Sequence, residues 1–411
     1  MENKFVNKVL KALLAVGPGL FLIGYNIRTG SVTTMAKSGA EHGMTLFWAL
    51  VLSCIFTYVL MVAYGQVTLV TGNTALYNIK SHFKFGNILA IYILIALIIG
   101  ELLALMGIMG IIADLLQEGI RLLTGDIMST LWITVFLTIG LFIMLWYGAY
   151  QKFEKLLTFF VIMMGLCFII VFFMVKPSLS VILRGLIPGI PKQDGAFQLV
   201  AAMAGTTCSA AVFIMRSVVV SEKGWKIDNL RSEKKDAFVS ASMMLFLSGT
   251  IMAVSAGTLH LMGLKLDNTV EMIHLLEPIG GKTAAFILIL GVAGAGLSTV
   301  FPIVLIAPWL ICDYTGRPRD IRTPLFRILG LIGLLFGFGL QFLKQRPPTM
   351  MVFSQAFQAC ILPAVAIPIF ILINRRSVMN QHKSDAKMNT ALIAVIVFSL
   401  LTTYFAIVDL F

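Results

Sequence analysis

Gly17-Pro18-Gly19-Leu20-Phe21-Leu22-Ile23-Gly24-Tyr25-Asn26-Ile27-Arg28-Thr29-Gly30-Ser31 is apolar enough to enter a lipid bilayer. It nevertheless carries helix breakers at both ends, an arginine, and small hydroxyl residues where the hydrocarbon core would lie. Such a stretch reads as an interrupted transmembrane helix. An unwound backbone is tolerated at membrane depth only where protein or a watery cavity satisfies its N–H and C=O groups, so the interruption marks a binding site. An arginine near mid-membrane costs roughly 2.5 to 3.5 kcal/mol on insertion scales, and such residues have a partner or a task. The task that suits a guanidinium is to hold an anion. The opposing reading puts Arg28 at the outer end of an uninterrupted helix, snorkelling to the headgroups. It leaves residues 29–43 as a long loop although Val32 to Ser38 is helix-compatible.

Working outward, the 411 residues are 59% hydrophobic and only 12% charged, against roughly 25% charged in soluble domains. About eleven apolar segments are long enough to cross a bilayer of about 30 Å at 1.5 Å per residue. They lie near residues 13–40 (broken), 44–70, 86–116, 127–148, 154–176, 196–221 (broken), 237–262, 284–312, 324–343, 349–373 and 390–410. Nothing of domain size remains between them, so one all-α integral membrane domain is expected. The first apolar run lacks a small-residue cleavage site, and no cleavable signal peptide is expected.

The net charge of +12 is distributed as topology requires, not as nucleic-acid binding does. With the N-terminus inside, cytoplasmic segments hold about nineteen of the 31 Lys and Arg residues, and external loops hold about nine. That bias predicts a cell-membrane protein with a cytoplasmic N-terminus and an extracytoplasmic C-terminus, facing the lipid bilayer and no nucleic acid. Residues 1–12, with Lys4, Lys8 and Lys11 on one helical face, read as an interfacial anchor. The five cysteines (Cys54, Cys167, Cys208, Cys312, Cys360) all fall in apolar segments without a C-x-x-C pair, so neither a disulfide framework nor a thiolate metal site is indicated.

The sixth span mirrors the first. Ala204-Gly205-Thr206-Thr207-Cys208-Ser209-Ala210 sets small and hydroxyl residues in the middle of an apolar run, with Arg216 further on. Two interrupted helices, one opening each half of a chain, mark an inverted-repeat transporter whose substrate lies between the breaks. Close packing through small residues is the alternative for this segment taken alone. After the first break at Asn26 to Ser31, Val32 to Ala36 is expected to restart a half-helix, and Gly39 to Gly43 to turn into the second span with His42 as a solvated loop histidine.

Glu101 in the third span is a carboxyl in hydrocarbon, read either as a proton-relay or gating group or the partner of an arginine, or as a structural glutamate facing the bundle. Arg216 reads as lining an access path. In the eighth span the small residues Gly291 to Thr299 read as a packing face. In the tenth, Gln355 and Gln358 can reach a central cavity, and Pro363 and Pro368 predict a kink.

Gly17-Pro18-Gly19, Ser38-Gly39-Ala40, Ala295-Gly296-Leu297-Ser298 and Ser354-Gln355 with Leu362-Pro363 and Pro368 together resemble the Nramp family of divalent-metal transporters. The likeness runs in order over nearly the whole chain. It implies the LeuT-type fold, five plus five helices in inverted repeat with one extra: a first repeat near 13–176, a second near 196–373 and a last helix near 390–410. There is a departure. That family carries Asp-Pro-Gly-Asn in the first break and Met-Pro-His in the sixth helix as metal ligands, where this sequence has Arg28-Thr29-Gly30-Ser31 and Ser209-Ala210-Ala211.

A divalent cation needs lone-pair donors, and Arg⁺ about 4 Å from M²⁺ costs roughly 8 kcal/mol at an effective dielectric of about 20. Arg28, Thr29, Gly30, Ser31, Thr206, Thr207, Cys208, Ser209, Gln355 and Gln358 instead form a donor-rich pocket for a small oxyanion. Bicarbonate suits the guanidinium fork, and some Nramp-like proteins lacking the metal motif look like bicarbonate transporters. The expectation is a monomeric secondary transporter of a small anion by alternating access, without strong proton coupling, cofactor or resident metal. Glu101 matches a glutamate on the family's proton route, but Ile98 replaces its acidic companion. The competing reading is a divalent-metal transporter with an atypical site, using Glu101 with Gln355 or Gln358. A sensor on a transporter fold lacks a soluble domain to signal through, and no H-E-x-x-H or G-x-S-x-G motif suggests an enzyme.

Overall fold

Every regular element is helical in the computed structural model, which describes residues 29–147, 150–192, 195–343 and 345–408. The stretch 17–28, including Arg28, lies outside the described residues, as does the basic lead-in. The first helices are α1 (Thr29–His42), α2 (Phe47–Thr71), α3 (Ala75–His82), α4 (Gly86–Thr124), α5 (Thr130–Tyr147), α6 (Tyr150–Val175) and α7 (Leu179–Arg184). The second half holds α8 (Ala196–Thr207), α9 (Ala210–Glu222), α10 (Leu230–Gly257), α11 (Gly281–Thr315), α12 (Pro324–Phe336), α13 (Gly339–Leu343), α14 (Pro347–Asn374), α15 (Arg376–Met379) and α16 (Ala386–Val408). Two 3₁₀ segments, Ile227–Asn229 and Thr269–Ile279, join them.

Among the described residues, nine helical stretches are long and apolar enough to cross a membrane, counting α8 with α9 and α12 with α13 as one each. Their burial sorts them. In the α8–α9 stretch 89% of the apolar window is buried, against 28% in α5 and 33% in α16. The broken pair is therefore central, while α5 and α16 turn Trp132, Phe136, Ile143, Val397, Leu400 and Tyr404 outward, where only lipid makes such exposure favourable. Around the pair, α14 packs along both α8 and α4, α1 along α10, and α11 along α4 and α6.

Local chemistry sets the ends. Gly72, at φ 70°, closes α2 with its N–H on the Thr68 carbonyl, a left-handed cap that other residues adopt only with strain. Pro347 and Pro348 open α14, where a missing N–H loses nothing, whereas Pro363 and Pro368 lie inside it and remove two donors from its ladder.

Three expectations need correcting. Thr29, Gly30 and Ser31 already belong to the helix of α1, so they are not unwound, and the remainder of the expected first break falls outside the described residues. His42 is the last residue of α1 and only 6% exposed; the helix runs on to it because the far end of α1 is fastened down. Lys37 bonds Asp267 and the Leu266 carbonyl at 3.1 and 3.0 Å, and the His260 ring holds the Ala40 carbonyl at 2.9 Å. Finally, the seventh span begins at Leu230, not near 237. Its first turns are charged in sequence, but Glu233, Asp236, Ala237 and Ser240 fall on one buried face while Arg231, Lys234 and Lys235 face out.

The small residues of the eighth span do pack closely, as expected. A Cβ on Gly291 would collide with Met164 of α6, and one on Gly296 would lie 2.7 Å from the Ile112 side chain of α4. The tightest crossing is between α8 and α14, where a Cβ on Gly205 would strike the Gln355 carbonyl oxygen. Backbone cannot move aside as a side chain can, so Gly205→Ala is expected to destabilise the protein by about 1 to 3 kcal/mol. Thermal melting of the detergent-solubilised protein checks this, with Gly140→Ala as the comparison; a Cβ there meets nothing within 4 Å, and its melting point should not fall.

Candidate functional site

The apolar core divides into two clusters, and the division falls at one level through the bundle. In α2 the first cluster ends at Cys54 and the second begins at Val59; in α4 the boundary lies between Leu97 and Ala104, and in α14 between Ala359 and Ile361. Across the broken pair, Met203 belongs to the first cluster and Cys208 to the second. The polar residues lie at or beside that boundary: Thr57 on α2, Glu101 on α4, Thr206 to Ser209 at the break, and Gln355 and Gln358 on α14. All of them are buried. A polar layer between two apolar half-cores is what a midplane substrate site looks like.

The break itself is at Cys208 and Ser209. Cys208 ends α8 at φ −104°, ψ 47°, and Ser209 is extended at φ −68°, ψ 129° before α9 starts. The loose ends are gathered by neighbours. The Thr57 hydroxyl, from α2, shares its one hydrogen between the Thr207 carbonyl at 2.9 Å and the Ser53 carbonyl of its own helix at 2.7 Å. Ser31 of α1 and Thr206 of α8 share a hydrogen bond at 2.9 Å, which ties α1 to the broken pair α8–α9. Ser209 donates to Gln358 Oε1 at 2.7 Å. Thr207 turns back to the Met203 carbonyl, so its hydroxyl is engaged within α8.

Gln355 sits between two glycines. Gly205 of α8 meets its backbone, and on the other side a Cβ at Gly30 would lie 2.9 Å from Gln355 Nε2 and 2.6 Å from Met351 Cε. Thr29 packs into the small-residue face of α11 and donates to the Val292 carbonyl at 3.4 Å. Glu101 is 1% exposed on α4, one residue past Gly100, whose Cβ would meet Gln358 Cγ at 3.2 Å. The residues read from the sequence as a donor-rich pocket, Arg28 apart, are thus brought to one level. Thr57 was missed; its signal was Ser53 and Thr57 at i, i+4 in the first, mainly apolar half of α2.

Arg216 is placed elsewhere. It is fully buried, with Nε on Glu233 Oε1 at 2.8 Å and Nη2 on Asp236 Oδ2 at 2.7 Å. The access-path reading is therefore replaced by an ion-pair triad that fastens α9 to α10, and Gly65 of α2 is small enough to let Glu233 in. Nε and Nη2 of its guanidinium are committed to two carboxylates, while Nη1 has no hydrogen-bond partner among the described residues. Among the described residues no group of three or more His, Cys, Asp and Glu is arranged to hold a metal ion.

Breaking a buried pair leaves a charge uncompensated, at about 3 to 5 kcal/mol. Arg216→Met should therefore lower the melting temperature steeply. The triple change Arg216→Met, Glu233→Gln, Asp236→Asn should recover much of it; no recovery would show that the guanidinium does more than neutralise the two acids.

The family model described as Nramp, "Natural resistance-associated macrophage protein-like", matches residues 20–409. The chain is 24% identical over 375 residues to the divalent metal cation transporter MntH of Pectobacterium carotovorum, covering 89% of this chain and 87% of that one. It is 26% identical over 408 residues to the natural resistance-associated macrophage protein 2 homolog of Dictyostelium discoideum, and spans 61% of that relative's length. In structure it is similar to the Eremococcus coleocola manganese transporter crystallised with an aromatic bis-isothiourea substituted compound: TM-score 0.68 at 16% identity, over 96% of this chain and 85% of the other. Mhp1, a nucleobase-cation-symport-1 family transporter in a closed conformation, superposes with TM-score 0.62 at 16% identity, covering 96% and 91% of the two chains. At such identities the likeness carries the fold.

Proposed function

The chain belongs to the Nramp family, a multi-pass secondary membrane transporter of LeuT-type fold, and we propose that its cargo is a small oxyanion, bicarbonate foremost, moved by alternating access. The observation that carries this reading is the chemistry of the break. Where the metal-transporting pattern supplies a carboxylate, a thioether and an imidazole, this chain has Arg28, Ser209 and Ala211, and the side chains that hydrogen-bond across the break are the hydroxyls of Ser31, Thr206 and Ser209 and the amide of Gln358, with the Glu101 carboxyl nearby on α4. Hydroxyl and amide hydrogens, the first N–H groups of α9 and a guanidinium all favour negative charge. In the proposal Arg28 is the principal anion contact, and Thr29, Gly30, Ser31, Thr206, Cys208, Ser209, Gln355 and Gln358 line the site.

A divalent cation is the second reading, favoured by the names of the relatives, which are divalent-metal and manganese transporters. It requires Glu101 with Gln355 or Gln358 as ligands. One carboxylate and two amides make a weak set for a dication, and the guanidinium would have to point away. We place the two repeats near 13–176 and 196–373, and the protein acts as a monomer with its N-terminus in the cytoplasm.

Proteoliposomes decide between the cargoes. Wild-type protein should take up labelled bicarbonate, and Arg28→Ala should reduce that uptake at least tenfold. Mn²⁺ uptake by the wild type without bicarbonate uptake would establish the second reading instead. Coupling is read in the same vesicles: at fixed bicarbonate, an imposed pH gradient should drive no accumulation beyond the anion's own gradient. Accumulation that Glu101→Gln abolished would make the protein a proton-coupled transporter.

A further inference from the structure

A glutamine side chain presents an acceptor at one end and two donors at the other, so whichever end faces a site helps to decide the sign of charge it receives. At the break, Gln358 turns its oxygen end to Ser209. The Ser209 hydroxyl donates to Gln358 Oε1 at 2.7 Å. The oxygen thus has one partner, and the end of the amide left over is the NH₂ group.

Gln358 Nε2 is buried and has no hydrogen-bond partner among the described residues, and the residue as a whole is only 2% exposed. A buried donor without a partner is uncommon in proteins and calls for an explanation. A bound anion at the break supplies one.

Ser209 adds an independent indication. It stands at the N-cap of α9, a helix of 13 residues, yet its side chain does not cap that helix. Serine at an N-cap ordinarily turns its oxygen onto the N–H of the second or third residue. Here it is turned to Gln358; the Val212 N–H is taken by the Ser209 carbonyl at 3.0 Å, while the Ala210 and Ala211 N–H groups are not capped by the side chain, and the positive end of the helix dipole adds to the amide donors. The hydroxyl oxygen keeps its lone pairs for a proton-bearing substrate oxygen.

We infer that the Ser209–Gln358 hydrogen bond is the charge selector of the site: it holds the amide donor-first, admitting an oxyanion and repelling a cation. Gln358 is then a specificity-determining contact and Ser209 a positioning residue that acts through it. The inference rests on the anion reading above. It also implies that the site is converted by changing one end of one side chain, since a carboxylate at position 358 turns a donor pair into an anionic acceptor.

Steady-state uptake of labelled bicarbonate in proteoliposomes, with Mn²⁺ binding by calorimetry on the same preparations, tests it. Ser209→Ala should raise the bicarbonate KM about tenfold, the loss expected for one oriented hydrogen bond, while its melting temperature stays near that of the wild type. Ser209→Thr, which keeps the hydroxyl, should recover most of the affinity. Gln358→Glu should abolish bicarbonate uptake and bind Mn²⁺ where the wild type binds none. Bicarbonate uptake by Ser209→Ala and Gln358→Leu with the wild-type KM would overturn the inference and leave the anion reading standing. Mn²⁺ uptake by the wild type, with none of bicarbonate, would overturn both.

Discussion

A backbone inside hydrocarbon has to satisfy its own hydrogen bonds, and the interruption at Cys208 and Ser209 is where this chain does not do so within one helix. The surrounding helices are arranged to meet that demand. Thr57 reaches across from α2 to the Thr207 carbonyl, Ser31 joins Thr206 from α1, and α14 comes so close at Gly205 that no side chain fits between. Each contact comes from a different helix, so the break is held by the bundle, not by its own sequence. Movement of any of these helices therefore acts on the site directly, which is the coupling that alternating access needs.

The spans and the second break were legible because their signals are local. Hydropathy over some twenty residues finds a spanning helix, and a run of small and hydroxyl residues within one finds the interruption. What escaped depended on partners distant in the chain. Glu233 and Asp236 look like part of a solvated charge cluster until Arg216 is seen between them, and that pairing moved the start of the seventh span by about two turns. His42 looked like a loop residue because Gly43 follows it; contacts from Lys37, Asp267 and His260 hold the end of α1 in place. Thr57 gave only a weak periodic hint. The residues grouped around the break, from Thr29 to Gln358, were found because hydroxyls and amides are rare enough in apolar helices for each to stand out.

Arg28 and Arg216 show how little residue type decides alone. Arg216 carries the same fork of donors that the anion reading assigns to Arg28, yet two carboxylates occupy it and its work is to fasten α9 to α10. Paired in this way, the guanidinium has its positive charge offset by two carboxylates, which weakens its pull on a substrate anion. Function at a buried charge is set by what the neighbouring helices present to it.

In the anion proposal, the packing that closes the break also bears on cargo size. Gly30 and Gly205 let α1 and α8 approach Gln355 from two sides, and a single methyl at either place would collide with it. Ser209 and Gln358 lie in the same closely packed layer, both buried. Making room there for a bulky cargo means parting helices whose contacts run far from the break. A proposed cargo of a few atoms asks less of that packing, so in this reading the close helix crossings limit bulk and the direction of one amide bears on charge.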